Sequence, residues 1–167
     1  MKKYLKYFSL LLVGVLLTGC AFLEDEKTYE VNGIKITMAN DMVEKDLVSQ
    51  TAYLEGDEVI FTALKESLTD LNQVGITKDS TLKDYANLIL TGNKLDAKLI
   101  EDDTNNVTYF TYEKEISGKD FYYLASVYKA NDAFWLVNFA CEKKNANEYK
   151  DKFLKWASTV EFYENTK

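Results

Sequence analysis

The chain has 167 residues, enough for one ordinary domain around one core and too few for a multi-domain machine. Hydrophobic residues make up 47 % and charged residues 28 %, a globular rather than a disordered composition. Histidine, proline and arginine are all absent, so the formal charge of −7 reflects 20 lysines against 27 acids. Without histidine, Ser-His-Asp and Cys-His nucleophilic systems and histidine-based zinc and facial-triad iron sites are excluded.

Residues 1–20 read MKKYLKYFSLLLVGVLLTGC. Lys2, Lys3 and Lys6 form a basic start, and the apolar stretch around residues 10–17 is about a dozen residues long, short of the ~20 that span a bilayer. The pattern is that of a removable export signal. Its end, Leu17-Thr18-Gly19-Cys20, resembles the lipobox of bacterial lipoproteins, which implies a diacylglyceryl group on the Cys20 sulfur and cleavage in front of it. Residues 1–19 are therefore expected to be a lipoprotein signal peptide. Residues 20–30, with Glu24-Asp25-Glu26-Lys27, are expected to be an acidic tether, and residues 31–167 the folded domain. Each buried methylene contributes about 0.8 kcal/mol, so two acyl chains hold the protein stably on the extracytoplasmic face of the cell membrane without a transmembrane helix.

Removing residues 1–19 takes away three of the 20 lysines and none of the 27 acids, leaving −10 on 148 residues. So acidic a chain offers no basic stripe for nucleic acid and no polybasic patch for anionic lipid. Once Cys20 is lipidated, Cys141 is the remaining thiol, so an intramolecular disulfide is excluded. Cys141 ends an apolar run and is expected to be a buried, inert thiol.

Asn32-Gly33 is a turn signal, and residues 34–38 alternate apolar and polar as a half-buried strand. Strands are expected over residues 47–54 and 59–64, joined by the turn Glu55-Gly56-Asp57-Glu58, with a polar loop over 70–80. Thr81 and Asp84 have capping-box spacing; Leu82, Tyr85, Ala86 and Ile89 share a helical face, and Gly92 supplies the stop. A meander follows over 107–116, 121–129 and 133–141. In its last strand Trp135, Val137, Phe139 and Cys141 alternate with Phe134, Leu136 and Ala140, so both faces are apolar and the strand belongs mid-sheet. Asn145 with Glu148 is expected to cap a final helix with Tyr149, Phe153, Trp156, Ala157 and Val160 at helical spacing. The expected fold is α+β: a mostly antiparallel sheet with a helix on each face, an α/β/α sandwich.

Several stretches in this order resemble the PsbP-like superfamily, the PsbP and DcrB type of domain that includes small bacterial lipoproteins. They are Thr81-Leu82-Lys83-Asp84-Tyr85, Gly118-Lys119-Asp120-Phe121-Tyr122-Tyr123, Ala133-Phe134-Trp135-Leu136-Val137-Asn138-Phe139, and the helix closing on Phe153-Leu154-Lys155-Trp156-Ala157. The resemblance implies a non-catalytic accessory or binding module outside the cytoplasmic membrane, without a cofactor, whose partner is an envelope protein or small ligand. These motifs are architectural and nearly silent on chemistry.

The densest set of oxygen ligands is Glu101-Asp102-Asp103-Thr104-Asn105-Asn106. Measured as a calcium-binding helix-loop-helix loop from Asp102, its sixth position is Val107 rather than glycine, so that motif is rejected; Asp102 and Asp103 stay as candidates for a looser cation site, against a solvated turn. Tyr109, Tyr112, Tyr122, Tyr123 and Tyr128 on adjacent strands are candidate ligand contacts, against plain packing of their rings in the core. The rival function is a carboxylate- or cation-dependent envelope hydrolase, whose signature is a pocket with two acids of divergent pKa.

Cells fed a labelled lipid precursor are expected to label the wild-type chain and leave Cys20→Ala unlabelled and released from membranes. An unlabelled Cys20→Ala that stays membrane-bound like wild type overturns the lipid anchor.

Overall fold

A computed structural model describes residues 25–164. The expected signal peptide, with Leu17, Thr18, Gly19 and Cys20, and the start of the expected tether lie outside the described residues. The tether is shorter than its charge implies, because Glu26–Val31 form strand β1. It pairs antiparallel with β2 (Ile34–Ala39) from Glu26↔Ala39 to Val31↔Ile34. Asn32 and Gly33 turn the hairpin with φ of 47° and 93°, the left-handed pair a two-residue hairpin requires, and a Cβ on Gly33 would also sit 3.2 Å from the Tyr163 carbonyl. Glu26 is satisfied from far along the chain. Its carboxylate accepts from Lys155 Nζ at 2.9 Å and from Trp156 Nε1 at 2.9 Å.

The next strands are β3 (Val43–Glu44), β4 (Ala52–Glu55) and β5 (Val59–Ser67). The strand expected over 47–54 begins only at Ala52, because Gln50 N–H donates to the Leu47 carbonyl at 2.9 Å and closes a turn. The loop expected over 70–80 opens with a single-turn helix, α1 (Leu68–Leu71), capped by Ser67, and a 3-10 turn over Asn72–Val74. Helix α2 (Leu82–Gly92) starts at the expected capping box: Asp84 N–H donates to Thr81 Oγ1 at 3.2 Å, and Thr81 N–H donates to Asp84 Oδ2 at 2.8 Å. A short strand, β6 (Ile100–Asp102), precedes the meander β7 (Val107–Ile116), β8 (Lys119–Ala130) and β9 (Ala133–Glu142). Helix α3 (Ala146–Ala157) leads to β10 (Glu161–Phe162). Asn145 stands at its N-cap, yet its side chain makes no capping bond, since a 3-10 turn over Lys143–Asn145 feeds the helix directly. Glu148 accepts instead from Lys152 at 3.1 Å, and Val160 lies beyond the helix end.

The main sheet has seven antiparallel strands in the order β3-β4-β5-β9-β8-β7-β6, with β9 in the middle. Each face carries its own core. On one side Phe61, Leu124, Val137, Phe139 and Cys141 pack against α3 and a second sheet, β1-β2-β10, which sequence reading did not foresee. On the other, Phe110, Ala125, Val127 and Phe134 pack against Tyr85, Ala86 and Ile89 of α2. The first core is aromatic. Phe153 sits 5.5 Å from Phe139, 5.6 Å from Tyr149 and 5.8 Å from Trp156, centroid to centroid.

Phe153→Ala is expected to cost about 3–5 kcal/mol, because it opens a cavity in this cluster. Thr81→Ala is expected to cost about 0.5–2 kcal/mol, through loss of the cap. Urea unfolding checks both; equal effects at the two sites would refute this ranking of core over cap.

Candidate functional site

The most distinctive surface arises from a length mismatch. Helix α2 has 11 residues and is about 16 Å long at 1.5 Å per residue. Strand β8 beneath it has 12 residues and is about 40 Å long at 3.4 Å per residue. The helix lies over the Val127–Lys129 end, where Lys129 Nζ donates to the Ser80 carbonyl at 3.0 Å just ahead of the helix cap. Its C-terminal residues Ile89 and Asn93 end over Tyr112 and Asn138. The rest of this face is left half-buried rather than covered, and strand alternation places Tyr53, Ile60, Thr62, Tyr112, Phe121, Tyr123 and Asn138 on it.

This half-face is aromatic along β7 and β8, and the same alternation puts Glu55, Lys114 and Glu142 at its margins. Tyr112 and Tyr123 stack at 4.7 Å with their planes 3° apart, and Phe110 and Phe121 extend the row at 6.1 Å and 6.4 Å. Across the floor Asn138 Nδ2 donates to Thr62 Oγ1 at 3.4 Å, a long bond that leaves most of the amide's capacity unused. Tyr53 stands on the far side and donates to Glu55 Oε2 at 3.2 Å, while Lys45 Nζ donates to the same oxygen at 2.6 Å. Two grooves open on the floor along β9. One of about 280 Å³ runs over Leu136 and Asn138 below the end of α2, and one of about 410 Å³ runs over Ala140 and Glu142 beside Phe121.

Burial, and then the neighbouring Tyr123 phenol, push Tyr112 up to about 12. Burial followed by Tyr53 raises Tyr123, and burial followed by Glu55 raises Tyr53. All three phenols are therefore neutral donors and acceptors at physiological pH. They offer ring faces and hydroxyls rather than acid-base chemistry.

The five tyrosines singled out in the sequence do not form one platform. Tyr112 and Tyr123 lie on the half-face, whereas Tyr109, Tyr122 and Tyr128 pack on the α3 side. Tyr122 stacks on Phe153 at 6.4 Å, and Tyr128 donates to the Ala157 carbonyl at 2.8 Å, tying β8 to the end of α3. Tyr53 was missed, although its alternation with Ala52 and Leu54 would have placed it on the same face as Thr62 and Asn138.

The acidic stretch lines a third groove of about 420 Å³ with Glu101, Asp102, Asp103, Asn106, Tyr128 and Lys129. Asp102 is committed to its own turn: its carboxylate accepts from Thr104 N–H at 2.9 Å, from Asn105 N–H at 3.1 Å and from Asn105 Nδ2 at 2.8 Å. The Asn105 side-chain and backbone bonds hold it below the usual carboxylate range. Among the described residues no group of three or more His, Cys, Asp or Glu converges as metal ligands. Among the described residues, the carboxyls whose pKa departs from the ordinary, Glu26, Glu55, Asp84, Asp102 and Glu142, are all held low. None has the raised value of a general acid.

No protein-family model matches the chain, and none of the curated proteins matches it in sequence. Solved structures do. The solution structure of cyanobacterial PsbP (CyanoP) from Synechocystis sp. PCC 6803 matches with a TM-score of 0.54 and 15 % identity, over 87 % of this chain and 97 % of that one. The fold is PsbP-like. A crystal structure from Bacteroides thetaiotaomicron VPI-5482 matches at 0.56 and 13 %, over 87 % of this chain, which spans 51 % of that protein. LpqN, involved in cell envelope biogenesis of Mycobacterium tuberculosis, matches at 0.50 and 9 %, over 84 % and 91 %. At such identities the likeness is one of fold, and the half-face has to be read from its own side chains.

Cys141, on the opposite face of β9, is 1 % exposed. Burial, with Glu58 and Glu148 nearby, pushes its thiol up to about 11. In Cys20→Ala, where Cys141 is the remaining thiol, a disulfide reagent at pH 8 is expected to react only as fast as the protein unfolds. Because the folded value lies above the unfolded value of about 8.5, this thiol favours folding below pH ~8.5 and progressively less as pH rises towards 11. Labelling of the native protein at the rate of a free thiol would refute the assignment.

Proposed function

We propose that this protein is an exported lipoprotein, held at the cell-envelope membrane by a diacylglyceryl group on Cys20, whose PsbP-like domain is a non-catalytic accessory module. It binds a small ligand or an envelope partner on the half-face beyond α2. The observation that carries this reading is the half-face itself. Neutral tyrosine rings, an under-used amide and two grooves lie together on a rigid sheet, with no nucleophile-base pair among them.

The envelope placement rests on the export signal and lipobox, and the likeness to LpqN, a protein involved in cell envelope biogenesis, supports it. Among the described residues no helix is long and apolar enough to cross a membrane, which fits attachment through lipid. The acidity of the exported part argues against nucleic acid as the partner.

Cross-linking in intact cells, followed by affinity capture, tests the reading. Wild type is expected to recover a specific ligand or partner, and Tyr123→Ala combined with Asn138→Ala to recover it about tenfold less, the loss expected when a central aromatic contact is truncated. Equal recovery by the double variant rules out the half-face as the binding site, and nothing recovered by wild type over Cys20→Ala counts against an envelope partner. Carboxylate-dependent hydrolysis of a glycan by the purified protein would instead establish the enzymatic alternative.

A further inference from the structure

Three of the large apolar side chains left exposed on the described residues fall within six positions: Val43, Leu47 and Val48, the last fully exposed. They lie on the two-residue edge strand β3 and in the turn that follows it, at one margin of the seven-stranded sheet. Three exposed aliphatic groups at one edge do nothing for the fold, since none reaches the core.

The place where the chain enters the domain gives this edge a meaning. Asn40 N–H donates to the Asp25 carbonyl at 3.1 Å, and Glu26 is clasped by Lys155 and Trp156, so the entry point is fixed on the fold three residues ahead of Val43. Only four residues, Ala21 to Glu24, separate Cys20 from Asp25. Five Cα steps of 3.8 Å cannot exceed about 19 Å. A diacylglyceryl group on Cys20 would therefore hold Asp25 within about 19 Å of the bilayer surface, and Asn40, about 5 Å from it across the strand spacing, leads on to Val43 three residues later.

We propose that the β3 edge is a membrane-contact surface, with Leu47 and Val48 entering the interfacial region of the bilayer while Cys20 is lipidated. This rests on the lipoprotein reading given above. The contact is apolar rather than electrostatic. Glu44 and Asp46 flank Lys45, and Lys45 is itself paired with Glu55 at 2.6 Å, so no free cation faces anionic lipid. A loop this small would bind a bilayer only weakly from solution. Tethering makes the contact intramolecular, and a weak contact then suffices to orient the domain.

The orientation has a direct readout. The opposite edge of the sheet, β6, carries the exposed Ile100, and six inter-strand steps of about 4.8 Å place it roughly 29 Å from β3. Lipidated full-length protein is reconstituted in phosphatidylcholine vesicles containing acyl-brominated lipid, as Val48→Trp and as Ile100→Trp. Both native tryptophans, Trp135 and Trp156, are buried and give a constant background. Fluorescence of Val48→Trp is expected to be quenched about twofold more than that of Ile100→Trp, with little dependence on salt, and adding Leu47→Asp is expected to remove the difference. Equal quenching at the two edges, or none at Val48→Trp, overturns the proposal, and so does burial of that tryptophan by self-association without lipid. Mass spectrometry separates the two readings: a chain lacking the diacylglyceryl group refutes the anchor and this contact together, whereas a lipidated chain with unquenched Val48→Trp refutes the contact alone.

Discussion

The architecture depends on a strand that is apolar on both faces. In β9, Trp135, Val137, Phe139 and Cys141 point one way and Phe134 and Leu136 the other, so neither face can be given to water. That forces β9 to the centre of the sheet, between β5 and β8, and demands a layer on each side. The two layers differ. On one side α3 and the β1-β2-β10 sheet together cover the face with a continuous aromatic cluster. On the other, α2 with Leu71 of α1 and the loop residue Ile76 must cover strands more than twice the helix's length, and the helix does not reach their ends. The half-face is thus a consequence of using short helices and loop residues where the opposite side uses a longer helix and a sheet.

What the uncovered part can do follows from the side chains left on it. A fully apolar remainder would be an aggregation hazard, and a charged one would stay hydrated and offer little to a ligand. Here tyrosines, Thr62 and Asn138 combine ring faces with hydrogen-bonding groups, on strands whose reverse sides are locked into the main core. Burial keeps the phenols neutral, so binding there should vary little with pH in the physiological range. The exposed ion pairs around the molecule, such as Lys119–Glu142 and Lys143–Glu113, are screened by solvent and do not decide the fold.

The parts legible in the sequence were those governed by local periodicity. The meander, the two-sided character of β9 and the Thr81 capping box depend on residues within a few positions of each other, and each lies close to where the pattern placed it. The parts that were not legible depend on distant partners. Glu26 looked like tether because its charge is balanced by Lys155 and Trp156, some 130 residues away. The tyrosines looked like one row because strand adjacency was read without parity; period-2 alternation sends Tyr122 and Tyr123 to opposite layers. Asp102 looked like a ligand because its short-range bonds to Thr104 and Asn105, which spend its oxygens, cannot be told from composition. Asn145 had the identity of a cap but not the geometry, since a preceding 3-10 turn keeps its backbone in the helical region.

The sheet's margins, its half-face and the point of chain entry are not independent. The half-face runs from Tyr53 on β4, next to the β3 edge, to Tyr112 on β7, next to β6. On the proposed contact, a domain resting on its β3 edge would stand with its strands stacked away from the bilayer, so the half-face would face sideways rather than towards the lipid. Tyr53 would then be the rung nearest the membrane, and the stacked pair Tyr112–Tyr123 would lie three to four strand spacings, roughly 14–19 Å, further out. A groove so placed would be open to molecules and protein surfaces moving along the membrane, and the clasp on Glu26 would keep the domain from swivelling freely about the proposed anchor. On the proposed lipid anchor and β3 contact, the aromatic rungs would be presented at fixed heights above the bilayer, which a long flexible tether would not allow.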